Sequence, residues 1–178
     1  SFPTRRSSDL VTVCMNDGDT HNGPSEQVEN KFPLLVRYYR LREDSGGAGQ
    51  FRGGLGAEAE VVALSKVNYQ TRIDRVNHPP WGLQGGHSAM GNRVGMRKKD
   101  GTLTLYSSGK VNMRLDAGEA YVLHSGGGGG FGDPKKRDKA AVLRDLRLGY
   151  ISEETARKVY GLTSAKPKGA RQKGRRAP

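Results

Sequence analysis

Residues Lys99–His124, KDGTLTLYSSGKVNMRLDAGEAYVLH, decide the fold class. Leu103–Tyr106, Lys110–Leu115 and Ala120–His124 are short runs that alternate apolar or aromatic residues with polar ones. Lys99-Asp100-Gly101 and Asp116-Ala117-Gly118 sit before and between them. Asp bonds back to nearby backbone and Gly accepts positive φ, so both clusters have the chemistry of a chain reversal. Three strands joined by tight turns are predicted here.

Upstream, Ala57–Ser65 (AEAEVVALS) lies between a Gly-rich turn and a polar loop, which favours a strand over a helix. Lys31–Leu41 (KFPLLVRYYRL) is rich in Val, Tyr and Leu, and Pro33 opposes a helix interior, so it also reads as a strand, preceded by an acidic loop from Glu26 to Glu29. Val11, Val13 and Met15 alternate with Thr12 and Cys14 ahead of Asn16-Asp17-Gly18-Asp19, which predicts a short strand entering a loop. Trp81, the chain's one indole, follows Pro79-Pro80 and is expected to pack over the core.

Downstream of Pro134 the spacing becomes helical. Ala141, Leu143, Leu146 and Leu148 give partial apolar periodicity, with Gly149 where a C-terminal cap belongs. Ser152 is a candidate N-cap for a second helix, with Glu153 and Glu154 in its first turn, Ala156, Val159 and Tyr160 on one face, and Gly161 at its end. The expected class is α+β: a mainly β, Gly-rich body followed by two short C-terminal helices and a disordered basic tail. The corresponding segments are a non-native leader over 1–10, a body over 11–133, a helical pair over 134–163 and a tail over 164–178.

The leader, SFPTRRSSDL, has neither a period of 2 nor one of 3.6 and resembles translated adapter sequence. The tail carries Lys166, Lys168, Arg171, Lys173, Arg175 and Arg176 and no acid, so it supplies six of the twelve net positive charges on the 178-residue chain. With Pro, Gly and no apolar period, it lacks the surface to fold by itself. The other 163 residues are only mildly basic, and a single Arg-Gly-Gly at Arg52 lacks the interleaved aromatics of single-strand binders, which argues against a nucleic-acid partner. One cysteine, Cys14, permits no internal disulfide and fits a reducing cytoplasm. No apolar run approaches the roughly 18 residues of a membrane span. His21, His78, His87 and His124 lack helical i, i+4 partners, so no metal site is assigned.

Glycine density raises the remaining chemical questions. Asp44–Gly56 (DSGGAGQFRGGLG) holds six glycines in thirteen residues, with Phe51 and Leu55 as apolar anchors. Such density implies positive φ or close backbone approach. Gly127, Gly129 and Gly132 match G-x-G-x-x-G between a strand and a helix, but a second helix follows instead of the second strand of a βαβ unit, so no dinucleotide site is expected. Two alternatives remain for Gly126–Gly132. Its backbone N–H groups line a small anion site, with Gly127, Gly128 and Gly129 the candidates, or it makes a tight crossing where no side chain fits. Gly109-Lys110 lacks the spacing of a phosphate-binding P-loop, and Ser45 lacks that of a nucleophile elbow. No catalytic residue is assigned.

Several loops together resemble one family. Asn16–Pro24 with Glu26 and Glu29, Tyr39–Gly56, Pro79-Pro80-Trp81-Gly82-Leu83 with Gly85-Gly86, Ser107–Lys110, Gly127–Pro134, and Asp145, Gly149, Ala156, Tyr160 and Gly161 are similar to the hydantoinase B/oxoprolinase family. The resemblance covers roughly residues 11–162 and implies the C-terminal portion of a B-type subunit. That subunit would assist an A-type subunit, which uses ATP and Mg2+ to activate a cyclic amide such as hydantoin or 5-oxoproline for ring opening; this chain itself would bind no cofactor. Related assemblies carboxylate ketones, and a third alternative is a structural or nucleic-acid-associated module. The family commonly has an Arg and an aromatic residue where this chain has Asn77 and His78, which puts substrate contacts there in doubt. Asp44, Ser45, Gly46, Gly47 and Arg52 are the candidates for a site or subunit interface. For Arg52 the alternatives are an anion contact through its guanidinium fork and an internal pair with a loop-capping Asp44.

Overall fold

The computed structural model of the chain describes residues 24–162. Its central feature is an antiparallel sheet of five strands in the order β1-β2-β7-β4-β5, formed by β1 (Leu34–Leu41), β2 (Ala57–Ala63), β4 (Arg93–Arg97), β5 (Leu103–Tyr106) and β7 (Ala120–His124). A two-stranded ribbon, β3 (Val67–Arg72) with β6 (Lys110–Leu115), accompanies it. The ribbon meets the sheet where Tyr69 stacks on Tyr121, ring centroids 4.0 Å apart and planes 9° from parallel. Burial there pushes the Tyr69 hydroxyl up to about 12 and raises Tyr121 as well.

Strands β5, β6 and β7 occupy the residues predicted for them, and the turns before β5 and β7 place Gly101 and Gly118 at φ 88° and 87°. Three expectations change. The polar loop after Ser65 is strand β3, in which Val67, Tyr69 and Thr71 alternate with outward Asn68, Gln70 and Arg72. Strand β4 was not predicted because Gly95 interrupts a five-residue run. A Cβ there would sit 2.5 Å from the Thr104 carbonyl oxygen of β5, so the strand pair requires the glycine that hides it. The acidic loop from Glu26 to Glu29 is the helix α1 (Ser25–Lys31), with Glu26 in its first turn and Lys31 in its last complementing the helix dipole. The Glu29 carboxylate accepts the Val36 N–H at 2.8 Å, fixing the entry to β1 three residues later than predicted.

Strand β2 is nearly continuously buried, and Glu60 lies within it at 2% exposure. A buried carboxylate is tolerated only when its charge is matched. Arg37 and Arg97 both pair with Glu60, Arg97 at 3.0 Å, and the Tyr38 hydroxyl lies 3.3 Å away.

After a 3-10 turn at Pro134–Lys136 come α2 (Lys139–Arg147) and α3 (Glu153–Lys158). Asp138 caps α2 and Ser152 caps α3, as its hydroxyl accepts the Thr155 N–H at 3.1 Å. Gly149 and Gly161 end the two helical segments at φ 70° and 69°. Val142, Ile151, Ala156 and Tyr160 pack with Ala48, so the helical pair shares a core with the Gly-rich body. No helix among the described residues is long and apolar enough to cross a membrane. The leader 1–10, the strand predicted at Val11–Met15 and the tail 164–178 lie outside the described residues.

Candidate functional site

Four backbone runs converge beside the sheet, around residues 45–49, 51–56, 81–91 and 126–132. They are joined laterally by hydrogen bonds. Gly47 N–H donates to Gly128 O at 2.8 Å, Gly128 N–H to Gly54 O at 2.9 Å, Gly53 N–H to Gly47 O at 2.9 Å, and Gly130 N–H to His87 O at 3.0 Å. Phe51 and Phe131 exchange both of theirs at 3.0 and 2.9 Å. Packing this close leaves no room for side chains. A Cβ on Gly47 would overlap the His87 carbonyl oxygen, on Gly53 that of Gly128, on Gly127 that of Ser45, and on Gly129 that of Trp81; on Gly46 it would lie 2.5 Å from Gly53 O.

The tight crossing is therefore the alternative realised in Gly126–Gly132. Its N–H groups at 126, 127, 128, 130, 131 and 132 donate to Asn92 Oδ1 and to the carbonyls of Met90, Gly54, His87, Phe51 and Leu83. These six of the run's seven amides are paired inside the fold and so are not free to receive a ligand. Trp81 also departs from expectation. Its backbone is held in the crossing, and its indole is 69% exposed, alongside the exposed Phe51, Leu83 and Phe131.

The loop Asp44–Gly47 is equally committed. Asp44 sits at φ 57°, a conformation its short polar side chain tolerates, and its carboxylate accepts the Ser152 N–H at 3.0 Å, joining the loop to the start of α3. Ser45 is fully buried. Its hydroxyl donates to Arg42 O at 2.6 Å and accepts from Gly56 N at 2.8 Å. A hydroxyl held at both ends in this way acts as a clasp between Arg42 and Gly56. Ser45→Ala is expected to lower stability by about 1–3 kcal/mol, because it leaves the buried Gly56 N–H unpaired. Urea unfolding should show a lower midpoint at unchanged slope.

Arg52 does not pair with Asp44. Its Nε donates to Asp145 Oδ2 at 3.1 Å and its Nη1 to Gly53 O at 2.6 Å. Arg137 Nη2 reaches the same Asp145 oxygen at 2.7 Å. The side chains of Arg52, Arg137 and Asp145 are 8%, 10% and 2% exposed, so this is a desolvated triad linking the glycine body to α2. The triad forms the wall of a cavity of about 580 Å³ that Lys136, Asp138 and Arg144 also line. Of the eight candidate residues, the structure brings Gly46, Gly47, Gly127, Gly128 and Gly129 into the crossing with Ser45 beneath them. Asp44 and Arg52 instead reach toward the helical pair. Arg137 and Asp145 were missed as partners of Arg52; an acid at a core-facing position of α2, three residues after Val142, was the available signal.

Elsewhere, His124 lies 3.7 Å from the Glu58 carboxylate, and burial together with the nearby Arg42 charge holds its imidazole below the ordinary value. Among the described residues no three His, Cys, Asp or Glu side chains come together as a metal site.

Residues 5–134 match the family described as hydantoinase B/oxoprolinase. The chain belongs to that family. The putative D-/L-hydantoinase B-type subunit of Pseudomonas sp. (strain NS671) is 31% identical over 146 residues, covering 82% of this chain and 25% of that protein. The structure is similar to that of the ATP-dependent caprolactamase from Pseudomonas jessenii, with a TM-score of 0.66 and 28% identity over 81% of this chain and 26% of that one. It is also similar to the nucleotide-free structure of an acetone carboxylase that works by ATP-dependent carboxylation, with a TM-score of 0.69 and 26% identity over 83% and 24%. This hydantoinase B/oxoprolinase chain thus spans about a quarter of the length of the relatives it matches. The family match takes in all four runs of the glycine crossing.

Proposed function

We propose that this chain is the C-terminal part of a B-type subunit in an ATP-dependent hydrolase that opens a cyclic amide, with hydantoin and 5-oxoproline the first substrates to consider. The observation that carries the reading is the likeness to an ATP-dependent caprolactamase, whose name describes hydrolysis of a cyclic amide at the expense of ATP. On this reading ATP and Mg2+ belong to an A-type partner subunit in the cytoplasm; Gly109-Lys110 here leads into strand β6.

Lactam opening needs an activated carbonyl and donors aimed at the charge that develops on its oxygen. Six of the seven amides of Gly126–Gly132 are already paired, and on this reading the contribution of the segment is architectural. The crossing and the arginine–aspartate triad hold the sheet and helical pair rigidly for the rest of the assembly. The likeness to acetone carboxylase supports a second reading, a ketone-carboxylating assembly of the same design.

The test uses the full-length B-type gene product with its neighbouring A-type subunit. Ring opening of hydantoin or 5-oxoproline that requires both proteins and ATP is the expected result. ATP-coupled turnover by the B-type protein alone would sink the two-subunit reading. Bicarbonate-dependent ketone consumption without ring opening would move the assembly to the carboxylases.

A further inference from the structure

The cavity beside α2 carries an unbalanced charge. Arg52, Lys136, Arg137 and Arg144 line it against Asp138 and Asp145, an excess of two positive charges. The excess is sharpest where solvent is least, because Arg52 and Arg137 share the single carboxylate of Asp145 through the same oxygen, Oδ2. A desolvated triad with two cations and one anion retains a whole uncompensated charge. Among the described residues Asp138 forms no ion pair with an arginine; its Oδ1 accepts the Ala140 N–H as the cap of α2.

Donors remain as well as charge. Arg137 Nε is buried without a partner, and Arg52 uses Nε and Nη1 but makes no hydrogen bond through Nη2 among the described residues. Both guanidinium planes are held in place, Arg52 over the Tyr150 ring at 5.6 Å and Arg137 over the Tyr160 ring at 6.0 Å. A preorganised fork of this kind is suited to planar or tetrahedral oxyanions. At about 580 Å³ the cavity is the size of a small-molecule site, and Lys136 and Arg144 are exposed beside its buried arginines.

We propose that this cavity binds a small-molecule oxyanion, a carboxylate or a phosphate, between the Arg52–Arg137 pair and the side chains of Lys136 and Arg144. The site is separate from the glycine crossing and does not depend on the cyclic-amide reading. It gives the segment a ligand of its own beside its architectural role.

The test is an NMR titration of the full 178-residue chain, labelled with 15N-arginine, using inorganic phosphate and acetate in separate arms at constant ionic strength set by KCl. Saturable shifts confined to the Arg52, Arg137 and Arg144 Nε–H resonances are expected, with a Kd on the order of 1 mM for the better anion. The arm that saturates first identifies phosphate or carboxylate as the ligand chemistry. A Lys136→Gln/Arg144→Gln variant changes only exposed positions and should keep the unfolding midpoint of the parent while weakening binding about fivefold or more. Shifts that grow linearly without saturation, that spread over the tail arginines, or that are the same in the variant would overturn the proposal. So would silence in both arms, which would leave the triad as an internal staple only.

Discussion

Gly129→Ala is expected to destabilise the chain by about 4 kcal/mol or more, a large part of the 5–15 kcal/mol that stabilises an ordinary domain. The added Cβ would fall on the Trp81 carbonyl oxygen. No rotamer change relieves that overlap, because the obstacle is backbone. The adjoining run is pinned by Leu83 N–H to Gly130 O at 2.9 Å and by Gly130 N–H to His87 O at 3.0 Å. Overpacking alone costs about 1–3 kcal/mol, and separating the runs breaks hydrogen bonds worth about 1 kcal/mol each. Gly101→Ala is the control. Gly101 is a turn glycine at φ 88°, and a Cβ added to it would meet nothing within 4 Å, so only the left-handed backbone penalty of about 1–2 kcal/mol applies. Urea unfolding followed by circular dichroism compares the two. Equal losses would mean that the crossing has room to relax and that its glycines serve turns alone.

Asp145→Ala is expected to cost about 3–5 kcal/mol, because it leaves Arg52 and Arg137 facing each other with their shared counter-charge removed. Asp145→Asn separates charge from shape, since it keeps an oxygen for one guanidinium and loses the negative charge. Its loss should be nearly as large if the charge is what matters. Arg137→Gln added to Asp145→Asn should then recover part of the stability by removing one unmatched cation. A double-mutant cycle measured by urea unfolding reads the coupling directly. A cycle that closes with no interaction energy would show that the triad contributes packing alone.

How much of this was legible in the sequence follows from the range of each interaction. Strands β5, β6 and β7 were readable because Asp-Gly or Ala-Gly turn chemistry bounds them within a few residues. The ends of α3 were readable because Ser152 and Gly161 act on their own neighbours. The ribbon strand β3 was concealed by polar residues on its outward face, and β4 by Gly95, whose requirement comes from Thr104 on another strand. Helix α1 was concealed by reading Glu26 and Glu29 as loop charge, although one complements the dipole and the other anchors β1. The candidate loop residues stood out by their glycine density, but their partners were not accessible. Asp44 meets Ser152 across 108 residues and Arg52 meets Asp145 across 93. Nothing local distinguishes an arginine that faces a ligand from one that braces a helix.

The crossing also constrains how the gene can change. Glycine is encoded by GGN codons, so every third-position substitution is silent, and every missense substitution at the first two positions installs a residue that carries a Cβ. At Gly47, Gly53, Gly127 and Gly129 that single atom meets a carbonyl oxygen of another run. These positions therefore have no conservative one-step neighbour in sequence space, in contrast to a leucine that can drift to methionine or valine. A lineage carrying this body can explore new partners and ligands through exposed side chains such as Trp81, Lys136 and Arg144, while the codons of the crossing drift only in their third base.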